Sequence, residues 1–474
     1  MGTRDTEMRT RTFRPVLVVA AISTVMAGCK VGPEYDKPKL PAPAAFRFAE
    51  ATAQAQTLAD TTWFQVFDDK ALQALIQEAI ANNLDLKVAM AHVMEARAQA
   101  GIAKSYIYPE VTGSAGFGVR SASTTEDVND TNHQSGVYGF RLSWEIDLWG
   151  KLRRQHEAAT ALAVASEQAQ RGVMVTLVGD VATNYFLLRE LDLQLEIARQ
   201  TLQINNTTVD YFQNRLSGGV SNRLELDRIQ ALREQTAVAI PEIERQIAQV
   251  EHLVSLLLGR PPGPVTRDRL TLAEQSPPPI PPGLPTSLLE RRPDVMEAEQ
   301  ILVAANADIG VAKSLFYPSI SLTSFFGGVS GDLTSFLGGT GGVWSLGSSL
   351  LQPIFMSGRI KRNLEAATAR FDAALAEYQK AALNGYREVA NALITIEKLA
   401  EQREHRQLGV VALTDAADLA RARYESGLAS YIEILTADQA LFEQQLFLAQ
   451  TRGAELRARA ELYRALGGGW QPHP

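Results

Sequence analysis

The feature that most constrains this chain is the duplication of one sequence pattern. The segment Gly101–Pro109 reads Gly-Ile-Ala-Lys-Ser-Tyr-Ile-Tyr-Pro, and it returns 209 residues later at Gly310–Pro318 as Gly-Val-Ala-Lys-Ser-Leu-Phe-Tyr-Pro. A second pair of identical segments, Glu157–Ala161 and Glu365–Ala369, has an offset of 208 residues. Because the register of the two copies is kept over this distance, we predict that one structural unit is built twice.

A proline-rich stretch separates the two copies. Residues 261–285 hold nine of the 21 prolines of the chain, and such a segment cannot form a regular helix or a central strand. We therefore predict the following division of the chain: 1–28 signal peptide, 29–62 extended segment, 63–260 first repeat, 261–285 linker, 286–466 second repeat and 467–474 tail.

Each copy contains two stretches with the periodicity of a strand. In residues 136–148 apolar side chains alternate with polar ones, so one face is apolar and the other carries Arg141, Glu145 and Asp147. The predicted strands are 110–120, which carries Arg120 on its polar face, 136–148, 319–327 and about 343–355. Their length is near the roughly 9–11 residues of a membrane-spanning strand, and an apolar outer face with a polar inner face is typical of transmembrane barrels. A soluble sandwich is the alternative interpretation.

The remainder of each copy is predicted to be helical. From Gly150 to Gly218 and from Gly358 to Gly427 there is no proline, and in the second copy apolar residues recur at steps of three, four and seven, which is the seam of a coiled coil. About 67 residues of helix would extend roughly 100 Å. Each long helix then turns at its terminal glycine and runs back as a hairpin.

Four transmembrane strands cannot close a barrel in one chain, because an open edge in lipid leaves backbone groups unpaired. A dimer would supply eight strands, whose interior is filled by side chains, whereas a trimer would supply twelve and leave a lumen. The predicted fold class is therefore mainly α with a small β part: a long α-helical coiled-coil barrel continuous with a transmembrane β-barrel of four strands per chain.

The N-terminus has the features of an export signal. Four arginines precede an apolar stretch that begins at Pro15 and ends at Met26-Ala27-Gly28-Cys29, which resembles the lipobox of bacterial lipoprotein precursors. We expect Cys29 to carry a diacylglycerol and an N-acyl chain after cleavage. The residue that follows is Lys30, which resembles the pattern of lipoproteins exported to the outer membrane. A buried free cysteine is the alternative.

Composition excludes several other classes of protein. The formal net charge of -7 argues against a nucleic-acid binder. The single cysteine excludes an internal disulfide and a cysteine-rich zinc site, and the six histidines form no metal-binding motif. No set of serine, histidine and acid residues suggests a nucleophile. We predict neither enzymatic activity nor a metal or other cofactor.

Several segments together resemble one family. The opening Cys29–Pro38, the segment Trp63–Leu72 and the hairpin Tyr424–Leu435 are similar to the corresponding parts of TolC-type outer membrane efflux proteins, of the NodT-like lipoprotein branch. The resemblance covers essentially the whole chain after Cys29. It implies a homotrimer in the outer membrane of a Gram-negative bacterium, a twelve-stranded barrel, a twelve-helix tunnel, and a role as exit duct for an inner-membrane pump joined through a periplasmic adaptor.

The hairpin turns are the candidate sites for gating and docking. The duplication places Glu225 and Glu433 at equivalent positions, so a trimer would bring six carboxylates near its axis and favour cations there. The resemblance implies an apolar ring at Ile432 and often an acid where Thr436 stands, and here Asp438 lies two residues further on. We expect Tyr424 to brace the closed tip from the neighbouring helix. Ordinary solvated charges and coiled-coil packing are the alternatives for these residues. The resemblance also implies that the turns contact the adaptor, and the alternative is that they are helix hairpins without a docking role. The expected contact residues are Gly218, Gly219, Val220, Gly427, Leu428 and Ala429.

Two functions from different classes follow from these patterns. The first is a passive export channel of a tripartite efflux system, and the second is a structural lipoprotein that bridges the periplasm without a pore. The polar faces of the strands favour the channel, because a structural rod has no use for inward ionic residues. The cargo of such a duct is chosen by the pump and is not specified by this sequence.

Overall fold

The computed structural model describes residues 30–40, 43, 69–122, 131–267, 272, 290–330 and 342–468. Within these ranges the chain is mostly helical and contains one small antiparallel sheet, as predicted. Its elements in chain order are α1 (Lys70–Asn82), α2 (Leu84–Ser105), β1 (Glu110–Ala122), β2 (Thr131–Ile146), α3 (Lys151–Ser217), α4 (Arg223–Leu257), α5 (Pro293–Ser314), β3 (Ser319–Ser330), β4 (Gly342–Leu351), α6 (Arg359–Glu425) and α7 (Tyr431–Ala465).

The long helices occur in two pairs of equal length. Helices α3 and α6 each have 67 residues, and the helices that follow them, α4 and α7, each have 35. The predicted long helices and their hairpin turns are therefore confirmed. Pro241 lies inside α4, where its missing N–H removes one helical hydrogen bond without ending the helix.

The strands form one sheet in the order β1-β2-β3-β4, and all three pairs are antiparallel. The pairing of β2 with β3 joins the two copies of the repeat, since Leu142 lies opposite Ser324. A soluble sandwich needs a second sheet to cover the apolar face, and the described residues contain a single sheet. The prediction of four strands is confirmed.

Several predicted strand bounds were wrong by a few residues. Strands β1 and β3 end at Ala122 and Ser330 and not at 120 and 327, and β2 begins at Thr131 and not at 136. Two other ends have a clear physical cause. Strand β2 ends at Ile146 and not at 148, because the Asp147 carboxylate accepts hydrogen bonds from the backbone N–H groups of Leu152 and Arg153 at 3.1 and 2.9 Å and so starts helix α3. Strand β4 ends at Leu351 and not near 355. Pro353 follows closely, and proline has no N–H to donate to a neighbouring strand.

By its internal contacts the chain divides into two units. The first comprises Met1–Pro38, Met94–Ala165 and Glu299–Glu377, and it contains all four strands. The second comprises Lys39–Val93, Ser166–Ala298 and Tyr378–Pro474, and it contains the hairpin turns. No helix in the described ranges is both long and apolar enough to cross a membrane.

The largest apolar core lies in the second unit. It is built from buried residues of α1, α3, α4, α6 and α7, and among its fully buried members are Leu72, Val181 and Leu462. A polar contact is buried beside it, because the Tyr185 hydroxyl donates to Asp69 Oδ2 at 2.7 Å. The other oxygen, Oδ1, accepts from the backbone N–H groups of Ala71 and Leu72, so Asp69 both caps α1 and fixes the ring of Tyr185.

Candidate functional site

The two hairpin turns have the same backbone geometry. Gly219 has φ +77° and Gly427 has φ +70°, a conformation that other residues adopt at a cost. In the first turn the N–H of Gly219 donates to Leu216 O, and in the second the N–H of Gly427 donates to Tyr424 O. These bonds satisfy carbonyl groups at the ends of α3 and α6. The positive φ explains why a glycine stands at this position in both copies.

The helices that leave the turns are capped differently. The Asn222 side chain accepts a hydrogen bond from the backbone N–H of Glu225 at 3.0 Å, which is a standard cap for α4. The corresponding residue before α7, Ser430, makes no side-chain cap hydrogen bond. The start of α7 therefore has one stabilising bond fewer than the start of α4.

An aromatic cluster joins the two hairpins. The ring of Phe212 on α3 lies 4.2 Å from the ring of Tyr431 on α7 and 6.3 Å from that of Tyr424 on α6, centroid to centroid. The two tyrosines meet edge to face at 5.4 Å. Burial raises the pKa of the Tyr431 hydroxyl above its ordinary value. The other buried members of this tip cluster are Val209, Leu226, Ile229, Ala420 and Ile434.

Arg215 connects this cluster to both turns. Its Nη1 donates to the Tyr424 hydroxyl at 2.9 Å and to the Tyr211 hydroxyl at 3.2 Å, and its Nη2 donates to Val220 O in its own turn. The duplicated residue Arg423 repeats only the last of these contacts, with a bond to Leu428 O at 3.4 Å. The hydrogen bond between the two hairpins is therefore made by the arginine of the first hairpin, Arg215, and not by its equivalent Arg423.

The predicted gate acids are held by separate partners. The Glu225 carboxylate accepts a hydrogen bond from Ser221 Oγ at 2.6 Å, and the Glu433 carboxylate lies 3.7 Å from Arg423 Nε. Both Ile432 and Thr436 are exposed, and the Thr436 hydroxyl donates to Ile432 O within its own helix. Ile432, Glu433 and Thr436 are thus exposed in the single chain, as a pore-lining residue has to be, whereas Glu225 is half buried.

Asp438 differs from the other gate candidates, because it is largely buried in an ion pair. Arg421 on α6 donates to Asp438 Oδ1 at 2.6 Å and to Asp418 Oδ1 at 2.9 Å. Burial raises the pKa of Asp438 above its ordinary value, and the nearby Arg421 charge opposes that rise without cancelling it. The contact joins α6 to α7 at a point more than one helical turn away from the turn glycine, Gly427.

The turn residues expected to contact an adaptor are open to solvent. Val220 and Leu428 are 65% and 71% exposed, and they stand at equivalent positions of the two repeats. Gly218, Gly219 and Gly427 are also exposed, whereas Ala429 is half buried. Each of the two equivalent turns therefore presents one exposed aliphatic residue that a partner can cover.

Three of the four predicted lumen residues, Arg141, Glu145 and Asp147, lie on or beside β2. Arg141 is exposed, and Glu145 accepts from Lys151 Nζ at 2.6 Å. Asp147 lies one residue beyond the strand, and its carboxylate also pairs with Arg153, so it caps a helix and does not belong to the strand face. The side chain of Arg120 lies outside the described residues.

The segment that follows Cys29 is fastened to the first unit, although Cys29 itself lies outside the described residues. The Arg154 side chain is 0% exposed and donates to Glu34 at 2.8 Å and to Val31 O at 3.4 Å. Lys30 pairs with Glu157 at 2.5 Å, and Asn306 donates to Pro33 O at 3.1 Å. We call residues 30–38 the N-terminal strap.

Sequence reasoning did not single out Arg215, Phe212, Arg421 or Arg154. One signal was present for Arg215, since the segment Arg215–Ser221 is similar to Arg423–Ala429 at the repeat offset of 208 residues. Its contact with Tyr424 joins residues 209 positions apart, and no local pattern predicts such a contact. The same applies to Arg154 and Glu34, which are 120 positions apart.

Comparison with known proteins agrees with this geometry. A family model described as outer membrane efflux protein matches residues 75–260 and 284–468. The cation efflux system protein CusC of Escherichia coli O6:H1 strain CFT073 is 34% identical over 460 residues, which is 96% of this chain and 99% of CusC. The probable outer membrane lipoprotein SilC of Salmonella typhimurium has the same identity and the same coverage.

A solved structure matches over nearly the whole chain. The open state of the MtrE outer membrane channel of Neisseria gonorrhoeae aligns with a TM-score of 0.85 at 28% identity. The alignment covers 94% of this chain and 99% of the MtrE chain. The strands and the long helical hairpins are therefore those of a known channel architecture.

Proposed function

Because the chain belongs to the outer membrane efflux protein family, we propose that it is the outer-membrane exit channel of a tripartite efflux system. It conducts passively what an inner-membrane pump and a periplasmic adaptor deliver to it. The observation that carries this proposal is the repeated connection of a short strand pair to a helix of 67 residues that ends in an exposed hairpin turn. A membrane-embedded part and a periplasmic part are thus built twice from one continuous chain.

The proposed assembly is a homotrimer. Strands β1 and β4 are the two ends of the sheet, so within the described part of the chain each has one edge without a neighbouring strand. In lipid, unpaired backbone groups at such an edge cost several kcal/mol each. Three copies supply twelve strands, enough to close the sheet around a lumen. Exposed Arg141 and half-buried Glu145 support a polar inner face.

Lipidation of Cys29 is the proposed anchor. The related SilC is named a probable lipoprotein, and the lipobox-like segment ends at Cys29 in this chain. The N-terminal strap supports the proposal, because it holds the residues after Cys29 against the unit that contains the strands.

The two hairpin turns are the proposed meeting point with the adaptor. Val220 and Leu428 are exposed there, and Arg215 and Arg423 stiffen the two turns through bonds to the carbonyl groups of these same residues. A rigid apolar tip loses little conformational entropy when a partner covers it. The acids Glu225 and Glu433 lie on the first helical turn after each tip, where they would give a constriction its preference for cations.

The test is to purify the lipidated protein, measure its mass in detergent and record its conductance in planar lipid bilayers. We expect a trimer with a low, gated conductance that favours cations. A trimer or monomer that never conducts, even after Glu225 and Glu433 are both replaced by alanine, would contradict the channel and support the structural lipoprotein.

A further inference from the structure

The four strands carry their large aromatic side chains on one face of the sheet, with a single exception. Residues alternate between the two faces along a strand, and residues paired across strands share a face. By this rule Phe140, Phe326 and Trp344 lie on one face, where they are 63%, 69% and 75% exposed. Phe325 lies on the other face, opposite Arg141. Among the phenylalanine, tyrosine and tryptophan residues of the four described strands, it is the only one on that face.

The face that carries Phe325 is otherwise built mostly from short side chains. At the level of Phe325 one row crosses all four strands. Thr112 of β1 lies opposite Arg141, Arg141 lies opposite Phe325, and Phe325 lies opposite Ser345 of β4. Two hydroxyl residues thus flank the arginine and the ring. In the proposed trimeric channel this face lines the lumen, because the apolar face meets lipid, and the row would occur three times around the pore.

Two glycines make room for the Phe325 ring. Gly327 lies two residues beyond Phe325 on the same face, and it is paired with Gly139 of β2. A Cβ added to Gly139 would lie 3.0 Å from Phe325 Cζ, and one added to Gly327 would lie 2.9 Å from the same atom. Both distances are shorter than ordinary van der Waals contact. The tip of the ring therefore occupies space that side chains at both positions would need, and Phe325 is half buried against the sheet.

Arg141 has its charge available for a ligand. The residue is exposed, and its side chain makes no hydrogen bond or ion pair with any residue that the structure describes. Glu145, which lies on the same face, is instead paired with Lys151 at 2.6 Å. The row at Phe325 thus combines an uncompensated cation, an aromatic ring and two hydroxyl groups.

The duplicated fold does not by itself require this pair of residues. In β1·β2 Ala115 lies opposite Tyr138, and the residues 209 and 208 positions later, Ser324 and Leu346, lie opposite each other in β3·β4. At the same offsets the equivalent of Phe325 is Gly116, and the equivalent of Arg141 is Ser349.

Neither equivalent carries a ring or a charge, so the ring and the cation occur once per chain. They stand together only where β2 and β3 join the two repeats. A trimer would therefore hold three such pairs and not six.

We propose that Phe325 and Arg141 form a binding site for planar aromatic anions in the lumen, a site that rests on the proposed channel. The guanidinium offers a planar set of N–H donors that matches a carboxylate, and the Phe325 ring offers an apolar surface on which an aromatic group can pack. The hydroxyl groups of Thr112 and Ser345 can donate or accept further hydrogen bonds. Arg141 repels an organic cation, and a saturated anion gains the charge contact without the contact between rings.

The test is a saturation-transfer NMR titration of the full-length protein in lipid nanodiscs with three ligands. Naphthoate has the ring and the negative charge, its saturated analogue decalin carboxylate has only the charge, and naphthylmethylammonium has the ring with the opposite charge. Empty nanodiscs measure the signal that arises from lipid. We expect naphthoate to bind about fivefold more tightly than the saturated carboxylate, and the ammonium ligand to bind most weakly. This comparison uses the parent protein and needs no variant.

Substitutions then assign the binding to the two residues. Phe325→Leu should weaken naphthoate binding about fivefold and leave the saturated carboxylate unaffected. Arg141→Gln should weaken both carboxylates about tenfold. Phe325→Tyr keeps the ring and should keep the binding of naphthoate. The matched controls are Phe326→Leu on the opposite face and Arg362→Gln on α6, where the side chain is 80% exposed, and neither should change the affinities. Mass in detergent and conductance verify the assembly of each variant.

Several results would overturn the site. A conducting trimer that gives no more signal with naphthoate than empty nanodiscs would contradict it and leave the channel in place. Equal affinities for naphthoate and its saturated analogue would contradict the role of the ring, and tighter binding of the ammonium ligand would contradict the role of Arg141. Parent affinities in both Phe325→Leu and Arg141→Gln would place the binding elsewhere. A monomer that does not conduct would instead contradict the proposed channel, and the lumen site with it.

Discussion

Arg215 Nη1 donates a hydrogen bond to the Tyr424 hydroxyl at 2.9 Å and so joins the last turn of α3 to the last turn of α6. The same guanidinium lies 5.7 Å from the centroid of the Tyr424 ring, within the range of a cation–π contact. The two hairpins of the chain are therefore held together at their tips by one polar contact above an aromatic cluster.

Tyr424→Phe removes this bond and keeps the ring. We expect about 1 kcal/mol or less of lost tip stabilisation, since the contact is partly exposed, and an increase of up to about fivefold in the open fraction in planar bilayers. Tyr211→Phe is the matched control, because it removes the other hydroxyl bonded to Arg215 within one helix. Equal effects of the two variants would contradict a specific role for the link between hairpins.

Neutralising Glu225 and Glu433 together by glutamine should reduce cation selectivity, because six carboxylates near the axis of a trimer would attract cations. Reversal potentials in a salt gradient measure this effect. Glu234→Gln with Glu443→Gln removes the same charge from positions further along α4 and α7 and should leave selectivity unchanged. If the tip variant keeps the selectivity and conductance of the parent, these acids are ordinary solvated charges.

Asp438→Asn should change how stability depends on pH. Burial raises the pKa of Asp438 in the folded protein above its ordinary value of 3.8, so the folded state binds more protons than the unfolded state in the window above pH 3.8. The parent therefore loses stability as pH rises through this window, whereas the variant does not. The difference in melting temperature, variant minus parent, is expected to become more positive with rising pH. A decrease would mean that the Arg421 ion pair outweighs burial.

Gly219→Ala should weaken the first turn, because its φ of +77° disfavours a side chain. We expect a loss of about 1 kcal/mol or somewhat more. The neighbouring variant Gly218→Ala is the control, since an added Cβ would lie 3.5 Å from the nearest atom, Asn214 O, in ordinary contact. Thermal unfolding and adaptor binding are the measurements. Similar losses in both variants would show that the backbone conformation is not the cause.

Arg154→Met should release the N-terminal strap. The arginine is fully buried, and its loss removes the donor to the backbone carbonyl of Val31 and to Glu34. Glu157 keeps its ion pair with Lys30, and Glu34 is largely exposed, so a destabilisation of about 1–3 kcal/mol is expected. Limited proteolysis and thermal unfolding should both detect it. Arg362→Met removes the equivalent arginine of the second repeat, which is 80% exposed and pairs with Glu365, and it should have little effect. Unchanged protease resistance after Arg154→Met would contradict the role of the buried arginine.

Much of this fold could be predicted from the chain alone, because the duplicated pattern is strong and local. The absence of proline, the apolar seam and the terminal glycines together predicted the helices that end at Ser217 and Glu425. The alternation of apolar and polar residues predicted β2, but the pattern continued through Asp147 to Leu148 after the strand had ended. The alternation of apolar and polar residues indicates which face of a strand each residue occupies. It does not show where the hydrogen bonds of a helix cap, here those of Asp147, end the strand.

The contacts that sequence could not predict join distant parts of the chain. In the sequence, Arg421 looks like any other charged residue of a long helix. Asp438 reaches it only because α7 runs back antiparallel to α6. Arg154 is similarly placed in an ordinary run of charged residues at the start of α3. Its burial depends on where residues 31–34 lie, and an extended segment of this kind has no periodicity from which a partner could be inferred.

The N-terminal strap leaves almost no slack between the proposed lipid and the strands. A Cβ on Gly150 would lie 3.1 Å from the Cα of Lys30, and one residue of chain, about 3.8 Å, separates that Cα from Cys29. Gly150 follows the last residue of β2, Ile146, by four positions. Acyl chains on Cys29 would therefore set the depth at which the strands lie in the bilayer, because the short connection leaves the lipid little freedom to move relative to the strands.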